Sequence, residues 1–119
     1  MRRVRLSRAL AAVCLGAVDR YLAMLSSVTK RWDDADGAFQ RAVALEERID
    51  APPLAARTRH WYARMFLARD SDGDRETAEE MLSMVVITAT SLGMAKLAAD
   101  SEALLPPRHG LVDRHYRAP

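Results

Sequence analysis

Apolar and small residues recur along this chain at helical spacing, and one arrangement of them occurs twice. Ala35, Phe39, Ala42 and Ile49 return 43 positions later as Ala78, Leu82, Val85 and Leu92. A small residue, a bulky apolar one four later and a smaller one three after that share one helix face. Repetition at a fixed period predicts stacked helical hairpins, in which no unit closes its own apolar face. No alternating stretch of useful length argues for a strand.

The periodicity predicts five helices. The first spans 17–30, with Gly16 as a break and residues 3–14 as a separate helix. Its buried face is predicted to be Val18, Tyr21, Leu22, Leu25 and Val28, with the small residues Ala23 and Ser26 on the flank. The second spans 34–49, with Asp33 as N-cap and Asp34 and Asp36 favouring the positive end of the helix dipole. Its stripe is Ala35, Phe39, Ala42, Leu45 and Ile49, and Pro52-Pro53 ends it. The third spans 53–69 and carries Leu54, Thr58, Trp61, Tyr62, Met65 and Phe66 on one side. The fourth spans 75–91, capped by Asp74. Its apolar residues Ala78, Leu82, Val85, Ala89 and Leu92, with Met81, Met84, Val86 and Ile87, predict a helix packed on both sides. Gly93 fits the position after its end, and a fifth helix spans 94–105 before Pro106-Pro107.

The chain has 119 residues, half of them hydrophobic, which suits one small folded domain rather than a disordered chain. The formal net charge of +2 is unevenly spread. Arg2, Arg3, Arg5 and Arg8 make the start basic, Arg108, Arg114 and Arg117 make the end basic, and the middle is mildly acidic. The expected division is a basic segment over 1–15, a repeat domain over 16–105 and a basic, disordered tail over 106–119. A domain-wide nucleic-acid footprint is not expected. The lone Cys14 allows no internal disulfide, no stretch reaches the length of a membrane span, and the expected compartment is the cytoplasm. Arg2 to Arg5 followed by the apolar run 10–15 has the outline of an export signal, but Arg8 interrupts it and Val13 precedes Cys14 where a lipoprotein needs a small residue.

Ala23, Ala35, Phe39 and Ala42 together resemble the small and large positions of tetratricopeptide repeats. In the second unit Ala63 takes the first position, fifteen residues before Ala78 rather than twelve. The period is longer than the roughly 34 residues of that repeat. Gly16-Ala17-Val18 with Tyr21-Leu22, Trp32-Asp33-Asp34-Ala35, Phe39-Gln40-Arg41-Ala42, Ala55-Ala56-Arg57-Thr58 and Leu92-Gly93-Met94 are similar to the C-terminal helical repeats of large bacterial, often actinobacterial, regulators. Those proteins join an ATPase module to such repeats and to a cyclase or a LuxR-type DNA-binding domain. Sixteen arginines against two lysines suit a GC-rich bacterial genome. No Walker A loop, cyclase signature or helix-turn-helix is present in the sequence. The resemblance implies that the chain carries only the repeat part, as a fragment or split relative of such a regulator.

The chemical motifs are weak. Residues 70–74 open like a calcium loop, yet the sixth and twelfth positions hold Arg75 and Met81 instead of glycine and glutamate. Ser27 and Lys30 fit Ser-x-x-Lys without its companion motifs. His60, His109 and His115 lack metal-ligand spacing. No catalytic residue, metal or cofactor is expected. The expected fold is a short all-α, tetratricopeptide-like solenoid of two antiparallel helical hairpins and a terminal helix. The expected function is a non-catalytic scaffold for a protein or peptide, with self-association through an uncapped end. Arg20, Arg57, His60 and Arg64 are the expected contacts on the concave face. The alternative is a DNA-binding or transcription accessory role through the basic ends.

Overall fold

The structure is a computed structural model, and it describes residues 2–107. Five helices follow one another: α1 (Arg2–Val28), α2 (Trp32–Arg48), α3 (Pro52–Arg69), α4 (Asp74–Ser91) and α5 (Ala95–Ala103). Among the described residues there is no strand. Each helix packs on the next, α1 also touches α3, and α3 also touches α5. α2 and α4 make no such contact. The α1–α3–α5 layer is therefore the more closely associated side of the hairpin arrangement, and α2 and α4 form the other side.

Three turns share one mechanism. At the end of α1, the Lys30 amide donates to Ser27 O and the Arg31 amide to Ser26 O. After α2 the Asp50 and Ala51 amides donate to Glu47 O and Glu46 O, and after α4 the Gly93 and Met94 amides donate to Thr90 O and Ala89 O. Each is a Schellman closure, with φ of +61°, +54° and +76° at Lys30, Asp50 and Gly93. Asp50 and Gly93 lie one 43-residue period apart. Pro52 and Pro53 fill the first two positions of α3, where no amide is required.

The duplicated positions form the core. Ala35, Phe39, Ala42, Ala78, Leu82 and Val85 are all at most 1% exposed. Ile49 is half-buried and its counterpart Leu92 is exposed, because the nine-residue α5 is too short to close that corner. Phe39 stacks on Tyr62 with ring centroids 5.1 Å apart, and Tyr62 stacks on Phe66 at 4.8 Å. Ala23 and Ala63, the small residues assigned to the first helix of each hairpin, are both fully buried and allow close helix approach.

Four expectations need correction. α1 is continuous through Gly16, which is buried against the Glu46 side chain. The modest helical penalty of glycine does not break the helix there. Val18, Tyr21, Leu22, Leu25 and Val28 face outward, from 49% to 80% exposed, and α1 meets α2 through Gly16 and Ala23 instead. Helix α2 starts at Trp32, so Asp33 lies inside its first turn and does not cap it; Trp32 packs against the core. Gly73, at φ +82°, is the N-cap of α4, and Asp74 is its first helical residue. As expected, α3 and α5 both pack on α4, but Met84 and Ile87 remain exposed.

Candidate interaction face

The open face of the α1–α3–α5 layer is readable from the partners of α3. Thr58 points to α1, where it accepts a hydrogen bond from Arg20 Nη1 at 3.3 Å. His60 points to α5, with Nδ1 2.7 Å from Ser101 Oγ. Between these two flanks, at helical spacing, stand Arg57, Trp61 and Arg64. Arg57 and Arg64 are exposed and Trp61 is half-buried. The Arg64 guanidinium carbon lies 4.7 Å from the Trp61 ring centroid, a cation–π arrangement that holds the charge at the surface. Among the described residues neither Arg57 nor Arg64 has an ion-pair partner.

The expected contact residues thus separate into two pairs. Arg57 and Arg64 are open to a partner. His60 is only 4% exposed and cannot present its ring. It meets Trp61 edge-on and binds Ser101. Arg20 is half-buried and its Nη1 is engaged by Glu46 Oε2, also at 3.3 Å. Both corrections have one cause: these side chains lie on the flanks of their helices, between neighbours, rather than on the open face.

The flanking pairs repeat. Arg20 and His60 occupy corresponding positions when Ala23 is aligned with Ala63, and Thr58 and Ser101 are one period apart. Each hairpin therefore sends a nitrogen-bearing side chain from its first helix to a buried hydroxyl on the first helix of the next. The first pair is more heavily charged. Glu46 is buried, and its Oε1 has no hydrogen-bond partner among the described residues. Burial pushes the Glu46 carboxyl above its ordinary value, although the Thr58 hydroxyl and the Arg20 and Arg59 charges pull it back. At the second pair, burial and then the Arg64 charge lower the His60 imidazole, against a weaker opposing pull from Asp100. Neutral His60 and the Ser101 hydroxyl make an interhelical tie. Nothing in the sequence marked this pair, whose members are 41 residues apart.

The acidic turn is also accounted for. The Asp74 carboxylate accepts from Arg69 Nε at 2.7 Å, Arg69 Nη2 at 2.8 Å and the Ser71 amide at 2.9 Å. These bonds hold Asp74 below the usual carboxylate range. The carboxylate is thus committed to closing the turn between α3 and α4. Ser27 Oγ donates to Ala23 O, which turns the serine of the Ser-x-x-Lys match back onto its own helix. Among the described residues, no group of three or more His, Cys, Asp or Glu could hold a metal ion, and no helix is long and apolar enough to cross a membrane. His109, His115 and the basic residues of the tail lie outside the described residues.

No protein-family model, curated protein or solved structure matches this chain.

Proposed function

We propose that the chain is a non-catalytic scaffold that holds an acidic segment of a partner protein on the open face of its α1–α3–α5 layer. The observation that carries this reading is the open stripe Arg57, Trp61 and Arg64 between α1 and α5. Two guanidinium groups without ion-pair partners among the described residues suit carboxylates, which arginine binds through paired hydrogen bonds. The half-buried indole between them supplies an apolar anchor, as aromatic residues and arginine do at interface hot spots. The sequence resemblance supports a place in bacterial regulation, where such repeats transmit binding to an attached or neighbouring effector. We assign the scaffold to the cytoplasm on the same basis.

The test uses the Trp32→Phe variant, so that Trp61 is the one indole reporter. Aspartate- and glutamate-rich peptides are titrated while Trp61 fluorescence is followed at low and high salt. Binding should weaken as salt rises. It should also weaken about 100-fold in an Arg57→Glu, Arg64→Glu variant, roughly tenfold for each charge. Affinity unchanged by that double reversal, or no binding by any acidic peptide, would overturn the assignment.

A further inference from the structure

The two ends of the helical stack differ in character. At the far end, α5 presents Lys96, Asp100 and Glu102 with the small residues Ala95, Ala99 and Ala103 to solvent, and the larger exposed apolar residues there, Met84, Ile87 and Leu92, belong to α4 and the turn after it. At the near end, α1 presents Leu15, Val18, Leu22 and Leu25, each about half exposed, with Leu10 and Tyr21 beside them. This is the helix face that the fold covers elsewhere. With Ala23 aligned on Ala63, those four residues correspond to Ala55, Thr58, Tyr62 and Met65 of α3. All four are buried.

We propose that this face of α1 is the contact surface of a two-fold homodimer, with the α1 helices of two copies packed antiparallel. A two-fold axis lets this one leucine-rich face meet itself, so the pair closes without drawing on the far end of either copy. An axis through the level of residue 20 sets Leu15 against Leu25 of the second copy and Val18 against Leu22. The same arrangement carries the basic start of one α1, where Arg8 is exposed, toward the exposed Asp33 and Asp34 of the other copy. The six open apolar residues contribute about 600 Å² per copy, most of the roughly 800 Å² per partner that a stable interface buries. A polar rim of Arg8, Asp33 and Asp34 supplies more. This surface is separate from the α3 stripe, so its test stands apart from the proposed function.

Cys14 is the chain's one cysteine, is exposed, and lies beside the same face. It therefore reports directly on whether the face is covered. Sedimentation equilibrium of the full chain should show a monomer–dimer equilibrium, and the rate of Cys14 alkylation by N-ethylmaleimide should fall as protein concentration rises. Val18→Glu and Leu22→Glu, both at half-open positions, should give monomers with unchanged helical circular dichroism and concentration-independent alkylation. A wild-type chain that stays monomeric with constant Cys14 reactivity overturns the proposal, and that measurement needs no variant. A dimer that persists in both charged variants overturns it as well, because its interface then lies elsewhere.

Discussion

Truncating Phe39 to alanine removes the ring that joins the two hairpins. Phe39 is 1% exposed and stacks on Tyr62 at a 15° interplanar angle, which makes it the first ring of a three-ring column ending at Phe66. Phe→Ala in a packed core costs about 3–5 kcal/mol, with the loss of stacking included. A domain of this length has about 6–18 kcal/mol in total, so the variant should fold while losing a large part of its stability. Leu82, its counterpart 43 residues later, is fully buried, and Leu82→Ala should cost about 2–5 kcal/mol. Ile87, 63% exposed on α4, is the control, and Ile87→Ala should stay within about 0.5 kcal/mol of wild type. Urea denaturation followed by far-ultraviolet circular dichroism reads all three, provided the dependence on urea keeps its slope. If Phe39→Ala and Leu82→Ala were as mild as Ile87→Ala, the duplicated positions would not be the core and the repeat reading would fail.

Four smaller effects follow from local geometry. Gly16→Ala should raise stability by about 1 kcal/mol through helix propensity, since the added Cβ would sit 3.5 Å from Glu46 Cγ, an ordinary contact; a loss in urea midpoint would show that α1 and α2 need closer approach. Lys30→Gly should stabilise by about 1 kcal/mol by relieving a left-handed lysine, while Gly93→Ala should destabilise by a similar amount, with midpoints moving in opposite directions. Unfolded His60 takes up a proton near its ordinary value of 6.5 and folded His60 only at lower pH. Stability should therefore fall as pH drops below about 6.5, and His60→Gln should flatten that slope in urea midpoints taken from pH 7 to 5.5. Glu46 has the opposite sign, because the folded state keeps its proton above the ordinary 4.5; its contribution is lost as pH rises through the folded value, so Glu46→Gln should raise the midpoint at pH 7 and leave it nearly unchanged at pH 4.

The parts of the fold legible in the sequence are those where size alone reports packing. Ala35, Phe39 and Ala42 and their counterparts pack as their spacing implies, because a bulky residue between two small ones fits against a neighbouring helix in only one orientation. The same rule misreads α1. Its large residues point away from α2, and Gly16 and Ala23 make the contact, so the bulkiest stripe marks the uncovered side. Glu46 is hidden from sequence reasoning because a carboxylate at a helical position ordinarily means solvent. One period later that place holds the buried Ala89, and it takes Thr58, Arg20 and Arg59, from two other helices, to make Glu46 tolerable. Arg57 and Arg64 were legible as exposed charge. The burial of His60 was not, since it depends on Ser101 of α5, a residue with no motif around it.

The unequal ends of the stack give the architecture a direction of growth. An engineer lengthening it would fuse an additional hairpin ahead of α1, where leucines already await a neighbour, whereas the outer side of α5 offers alanine, lysine, aspartate and glutamate to redesign. Extension at the first site should convert the exposed stripe into interior and abolish the proposed self-association in the same step, which would make length and assembly state alternatives governed by one surface.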